Sequence, residues 1–264
     1  MLDTDKDRHV ELHRYDARAL LQLSASEAVT MADKHGSNAM PQYLRSPYIY
    51  YEKCIGELIH AKDHVLELGA GSGLHTWALV RTGAYVTAAD ISPNALKLLE
   101  QRIAGGGGCI STRVADMEAL PFSDASFDVV ACAGSLSYGD PALVDSEIRR
   151  VLRPGGRLVC VDSLNHNPIY RLNRWLHYIR GARTRSTLQR MPNLARIEAL
   201  SRGFSTVHVE YFGALSFAMP LVARLFGQER AKTISDRFDR LIGVRRSAFK
   251  FVLVSTSDSC DALK

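Results

Sequence analysis

The chain has 264 residues, 46% of them hydrophobic and 23% charged, with a formal net charge of +5. That length and composition support one large core, and the absence of any eighteen-residue apolar run argues against a helical membrane span. Cys54, Cys109, Cys132, Cys160 and Cys260 show no C-x-x-C or pairing pattern, so neither a disulfide framework nor a thiolate metal site is expected.

The first fifteen residues, MLDTDKDRHVELHRY, are charged and carry no apolar signal core, which predicts a cytoplasmic protein. Asp16–Leu23 reads as a short helix. Pro41 and Pro47 interrupt regular structure, and Tyr48–His60 has apolar positions near helical spacing. A different pattern begins near residue 62. Val65–Leu68 predicts a strand, Leu74–Arg81 a helix and Tyr85–Ala89 a second strand. Ser92 and Pro93 are the capping and first residues of a helix reaching about Ile103, and Gly105–Gly108 is a break. Cys109–Val114 and Phe127–Cys132 read as strands. Pro141–Leu152 reads as a helix stopped by Arg153-Pro-Gly-Gly156, where glycine suits a left-handed cap, and Arg157–Asp162 as a fifth strand. This alternation predicts an α/β, doubly wound, mostly parallel sheet with right-handed crossovers. Thr206–Phe212 and Ser247–Thr256 add two strands, giving seven. Insertions fall at about 164–204 and 213–246.

The densest information lies in Val65–Gly73, VLELGAGSG, followed seventeen residues later by Asp90. A buried strand, a glycine turn and a helix start present free N–H groups and a positive dipole end to a ligand. An acid at the tip of the next strand can accept hydrogen bonds from ribose hydroxyls. An adenosine-type cofactor is therefore expected. Gly69, Gly71 and Gly73 give G-x-G-x-G, not the G-x-G-x-x-G of dinucleotide sites. Glu67, at the strand's carboxyl end, would repel a pyrophosphate and suits a cation. Both points disfavour a nicotinamide oxidoreductase.

With these residues in place, Val65–Thr76 followed by Asp90 resembles the first two motifs of the class I S-adenosylmethionine-dependent methyltransferases, specifically the ubiquinone-biosynthesis type. Asp90-Ile91-Ser92 corresponds to the ribose acid and the residue flanking the adenine. Ala115-Asp116-Met117 matches the position after the third strand, and Ala133-Gly-Ser135 the end of the fourth. The resemblance implies a Rossmann-like methyltransferase fold with S-adenosyl-L-methionine as cofactor and S-adenosyl-L-homocysteine as product. It assigns Glu67, Gly69, Ala70, Gly71, Gly73, Asp90, Ile91, Ala115, Asp116, Met117 and Ala133 to the cofactor. It also implies that residues 1–61 form a helical lid before the domain at 62–264, with an aromatic such as Tyr43 reaching the cofactor. Tyr48, Tyr50 and Tyr51 lie beside it.

Ligands in such folds bind beyond the carboxyl ends of the strands, so residues after the fourth and fifth strands are candidates for the acceptor. Tyr138 and His166 are the expected catalytic residues, His166 because histidine titrates in the useful range. His75 reads as packing near the cofactor and His208 as a strand residue. Between Arg171 and Arg202 stand eight arginines against one acid, Glu198. Arginine favours bidentate capture of phosphate or carboxylate. Arg171 and Arg174 are therefore candidate substrate residues, and the acceptor is expected to be an oxygen on an anionic small molecule, sugar or natural-product intermediate. A lipid, quinone or nucleic-acid acceptor is the alternative, and a cofactor-binding module without transfer activity the second. Nucleic acid is the least expected partner because no recognition-module signature is present. Residues 212–227, apolar and broken by Pro220, suit a pocket wall, a dimer contact or a peripheral membrane contact. Asn167-Pro-Ile-Tyr170 imitates an amino-methyltransferase motif but follows the fifth strand, not the fourth, and reads as coincidence. No His/Cys/acid cluster has metal-ligand spacing.

Overall fold

The computed structural model describes residues 4–24, 36–104, 107–180, 184–241 and 244–258; Arg183, Cys260 and the first half of the Gly105–Gly108 break lie outside that set. The elements follow in chain order: α1 (Thr4–Ser24), α2 (Ser46–Leu58), β1 (His64–Leu68), α3 (Thr76–Val80), β2 (Tyr85–Asp90), α4 (Pro93–Ile103), β3 (Cys109–Val114) and β4 (Phe127–Ala133). After them come α5 (Pro141–Val151), β5 (Leu152–Ser163), α6 (Pro168–Ile179), α7 (Arg185–Arg190), α8 (Leu194–Ser201), β6 (Thr206–Phe212), α9 (Met219–Phe226), α10 (Gln228–Leu241) and β7 (Lys250–Thr256).

The seven strands form one sheet in the order β3-β2-β1-β4-β5-β7-β6. All neighbours run parallel except β7, which is antiparallel to both β5 and β6. The expected seven-stranded, mostly parallel sheet is therefore present. Strand residues alternate between two cores, as a two-residue side-chain period requires. Val65, Val129, Ala131, Val159 and Val161 face α2, α3 and α4. Leu66, Leu68, Val130, Cys132, Leu158 and Cys160 face α5 and α8. Both faces are covered, which is why these strands read as near-continuous apolar runs.

Several boundaries differ from expectation for local reasons. The first helix begins at Thr4, well before Asp16. The helix after the glycine turn is shorter, because Gly73 adopts φ +83° and the chain turns before Thr76. α5 ends on an extended Leu152, not on a left-handed glycine cap. β5 starts there, with a register shift against β4 that takes up Gly155 at φ +75°. β7 starts at Lys250 because Ser247 N–H turns back to Val244 O at 3.0 Å.

The N-terminal 61 residues separate into two roles. α2 packs into the core through Tyr51 and Ile55, which are 0% and 1% exposed. α1 lies on the outside and is tied to α4 by one carboxylate. Asp16 accepts from Ser92 Oγ at 2.7 Å, Asn94 N–H at 3.2 Å and Asn94 Nδ2 at 2.7 Å. A small contact of Ala19 with Ala95 and Leu98 completes the seam. Ile55→Ala should therefore cost about 2–5 kcal/mol, as for other core truncations. Leu21→Ala on α1, where Leu21 is 71% exposed, should cost under about 0.5 kcal/mol. Denaturant unfolding of both variants measures the contrast.

Candidate active site

A cavity of about 510 Å³ opens at the carboxyl ends of β1, β2, β3 and β4, where the strand order reverses between β1 and β4. That is the topological switch point at which open α/β sheets bind ligands. Its floor is the glycine turn. Gly69 and Ala70 N–H both donate to Ala89 O, at 2.8 and 3.1 Å, so the turn is fastened to β2. Gly69 has φ +67°, and a Cβ on it would stand 2.5 Å from Ser135 Cβ. Gly71 has φ +53° and nothing within 4 Å of where its Cβ would be; that space belongs to the cavity. The turn is thus a cradle that side chains would fill.

Two acids define the electrostatics. Asp90 Oδ2 accepts Gly71 N–H at 2.8 Å and Oδ1 accepts Ser92 N–H at 2.9 Å. Each oxygen keeps a lone pair for a ligand hydroxyl. Burial raises the Asp90 pKa against the lowering effect of these N–H donors. Glu67 is 2% exposed and accepts from Thr76 Oγ1 at 2.6 Å. Burial pushes its carboxyl up to about 8, the Thr76 hydrogen bond opposes that, and the nearby Asp90 charge adds to it. A cation placed there would favour the ionised form. The pair suits a ligand with ribose hydroxyls at one end and positive charge at the other, so the residues present fit S-adenosylmethionine.

The cavity wall contains Glu67, Gly69, Ala70, Gly71, Asp90, Ile91, Ala115, Asp116, Met117, Ala133 and Tyr138. Ala115 N–H donates to Asp90 O at 3.0 Å, and Asp116 turns the chain through Glu118 N–H at 2.9 Å. Other expected residues lie elsewhere. Gly73 is outside the lining and permits close packing, since its Cβ would meet Leu99 Cγ at 2.9 Å. Tyr43 sits at a separate small crevice beside Phe212; Tyr48 reaches the cavity in its place, stacked on His75 with centroids 5.0 Å apart. Burial, with Lys250 adding to it, holds His75 down to about 4, so it is neutral at pH 7.

His166 is exposed and does not line the cavity, because the chain after β5 turns outward into α6. Arg171 is exposed on α6. Arg174 is buried and donates to Leu164 O at 2.7 Å and Asn165 Oδ1 at 3.0 Å, so its charge holds the β5–α6 connection. Asn167 caps α6 through Ile169 N–H at 2.9 Å. The arginine block does not form one face. Arg196 pairs with Asp145 at 2.5 Å, and Arg190 lies 3.7 Å from Glu118.

The far wall includes α1, from the segment expected to be a lid, but its particular side chains go beyond the sequence expectation. α1 contributes Asp7, Glu11, Tyr15, Arg18 and Gln22, and α7 contributes Ser186, Thr187 and Arg190. The α1 spacing, i, i+4, i+8, i+11 and i+15, marks one helix face and was available as a signal. α7 gave none. Glu11 joins the two helices by accepting from Thr184 N–H at 3.2 Å and from Thr184 and Thr187 hydroxyls, both at 3.0 Å. Asp7 accepts from Ser186 N–H at 2.9 Å. The Tyr15 and Tyr138 hydroxyls are hydrogen-bonded to each other across the cavity.

Residues 66–160 match the family model described as a methyltransferase domain. With the sheet order, the glycine cradle and its two acids, this stretch belongs to the class I S-adenosylmethionine-dependent methyltransferases. A demethylmenaquinone methyltransferase of Clavibacter sepedonicus is 39% identical over 42% of this chain and 46% of its own length. One from Tropheryma whipplei is 38% identical over 46% of this chain and 51% of its own. The aligned segment therefore spans about half the length of these curated relatives. Among solved structures, a putative methyltransferase in complex with the Haloferax volcanii Trm112 methyltransferase activator superposes with a TM-score of 0.62 at 22% identity, over 92% of this chain and 97% of that one. A Haemonchus contortus phosphoethanolamine N-methyltransferase gives 0.56 at 18% identity, over 80% and 53%. At those identities the likeness concerns the fold alone.

Two outcomes test the cradle. Gly69→Ala places a Cβ against Ser135 in a left-handed backbone, which costs about 1–3 kcal/mol of strain. It should also lower S-adenosylhomocysteine affinity at least about tenfold, as read by thermal unfolding and calorimetry. Glu67 titrates near 4.5 when unfolded and about 8 when folded. Its raised pKa means that folding retains a proton between those values, so stability falls as pH rises across that window. Melting temperatures from pH 5 to 9 should show Glu67→Gln gaining on the wild type as pH increases.

Proposed function

We propose that the chain transfers the methyl group of S-adenosylmethionine to a hydroxyl oxygen of a small, largely apolar acceptor of quinol or lipid type, releasing S-adenosylhomocysteine and the hydroxyl proton. The observation that carries this is the extent of the cavity. One end holds the cradle, Glu67 and Asp90. The other continues past Met117 and Leu120 to Tyr138, α1 and α7, where no cofactor motif falls.

When bound, the cofactor supplies an electrophilic methyl on a sulfonium. The chain's own task is to place the acceptor in line with it and to keep water out. Asp90, held in place by the Gly71 N–H, orients the ribose end, and Glu67 faces the cationic end. Tyr138 and Tyr15, already sharing a hydrogen bond, offer both a donor and an acceptor to an incoming hydroxyl. α1, clamped by Asp16 at one end and by Asp7 and Glu11 at the other, covers the cleft as a lid.

The apolar acceptor is favoured over the anionic one because Arg171 and Arg174 lie outside the cavity lining. Of the three lining arginines, Arg102 donates to Ser72 O and Oγ, each at 2.7 Å, Arg190 lies near Glu118, and Arg18 is exposed on α1. The relatives named demethylmenaquinone methyltransferases agree with a quinone-class acceptor. Four free cysteines among the described residues suit a reducing cytoplasm.

The test is release of S-adenosylhomocysteine from S-adenosylmethionine against a panel of demethylated quinols and of phosphorylated or carboxylated metabolites. Turnover should concentrate in the first group. Tyr138→Phe should lower kcat by about 10²-fold, the scale of one positioned acid–base group, while cofactor affinity by calorimetry changes little. Equal turnover across the anionic set, or a wild-type kcat in the variant, would overturn the assignment.

A further inference from the structure

Helix α6 is amphipathic in the inverted sense. A helix on a globular protein turns its apolar stripe to the core. Here Leu172, Trp175 and Ile179 are 58%, 49% and 58% exposed, while the buried side of the helix is Tyr170 and the polar Arg174. α9 repeats the pattern. Leu221, Leu225 and Phe226 are 63%, 64% and 57% exposed, and Met219 is its buried residue.

These helices share a location. β5 and β6 are both antiparallel to β7, so they run parallel to each other. α6 and the chain leading to α9 therefore leave the same sheet edge, the edge at which the active-site cavity opens. α6 touches the connection just before α9, where Phe217 N–H donates to Tyr170 Oη at 3.2 Å and the two rings lie 6.2 Å apart.

The charge around them is one-sided. Residues 168–246 carry fifteen Arg and Lys against five Asp and Glu, while the chain as a whole carries 33 against 28. The segment is thus +10 and the remainder −5. Two of the five acids are engaged in structure: Asp239 accepts from Gly213 and Ala214 N–H at 2.6 and 3.0 Å, and Asp236 pairs with Lys232 at 2.6 Å. Arg171 and Arg224 stand exposed on the two helices, and Arg180 at the end of α6.

We propose that α6 and α9 form a membrane-docking surface that seats on an anionic lipid bilayer, with the apolar stripes and Trp175 entering the headgroup–acyl boundary. Exposed apolar faces flanked by arginine, with tryptophan at the boundary, are the chemistry by which helices lie in a lipid interface. Anionic lipid supplies the countercharge to the exposed Arg171, Arg180 and Arg224. No helix among the described residues is long and apolar enough to cross a bilayer, so the contact is peripheral. Its position beside the cleft mouth provides a route for an apolar acceptor to reach the cavity from the bilayer; that consequence rests on the proposed methyl transfer, whereas the docking surface does not.

The experiment is flotation of the full chain with vesicles of phosphatidylcholine alone and of phosphatidylcholine with about one-third phosphatidylglycerol, with S-adenosylhomocysteine calorimetry on the same samples. Binding to the anionic vesicles should exceed binding to the neutral ones by at least about tenfold and fall steeply with salt. Trp175→Glu with Leu225→Glu should abolish it while leaving S-adenosylhomocysteine affinity unchanged, which also reports that the variant folds. Overturning results are absence of flotation on either vesicle, flotation undiminished in the double variant, or a concentration-dependent dimer that protects α6 and α9 from hydrogen exchange without lipid. If flotation fails while S-adenosylhomocysteine still binds, the docking surface falls and the methyltransferase reading stands. If S-adenosylhomocysteine does not bind, that reading falls on its own.

Discussion

One carboxylate joins the two halves of the cofactor cradle. Asp90 takes the Gly71 N–H with one oxygen and the Ser92 N–H with the other, so the turn after β1 and the start of α4 cannot move apart. Those N–H groups lie at a helix approach and a glycine turn, where the chain has no partners of its own to offer. The same acid closes the floor of the cavity and leaves lone pairs facing into it. Burial works against its charge, and the two N–H groups are what keep it useful as an acceptor. Glu67 lies deeper and has only the Thr76 hydroxyl, so its carboxyl is the one that a cationic ligand would shift most.

The roof is built on the same spot. Ser92 accepts from Ala95 N–H at 3.1 Å as the cap of α4 and donates its hydroxyl to Asp16 of α1. The helix that lines the cleft from outside is therefore fastened beside Asp90. Its other end is held by Glu11 against the Thr184 and Thr187 hydroxyls. These are hydrogen bonds worth about 0.5–1.5 kcal/mol each, against a small apolar seam. That balance suits a cover that opens for ligands, in contrast to α2, whose Tyr51 and Ile55 are part of the core.

The two insertions after β5 and β6 carry the chain's positive excess and turn apolar stripes outward. The arginines between 171 and 202 do not share one face once folded. Arg174 ties the β5–α6 connection, Arg196 pairs with Asp145 and Arg190 with Glu118. Like-charged side chains adjacent in sequence were carried to different neighbours by the three short helices between 168 and 201.

The sheet and the glycine turn with its acid were legible in the sequence because they are local. Strand, glycine turn and acid follow one another within twenty-six residues, Val65 to Asp90, and each signal is a backbone requirement that a residue type meets directly. Positive φ at Gly69 and Gly71 and the cap at Ser92 are of this kind. The far wall was decided only by the tertiary structure. Tyr15 meets Tyr138 across 123 positions, and Glu11 meets Thr184 across 173. No local propensity encodes such pairs, and Tyr43 and His166 lie outside the cavity lining. Tyr48 and the α1 face took their places because the packing of α2 and the Asp16 clamp brought them over the strand ends. Sequence fixes which backbone positions can cradle a ligand; long-range packing selects the side chains that close over it.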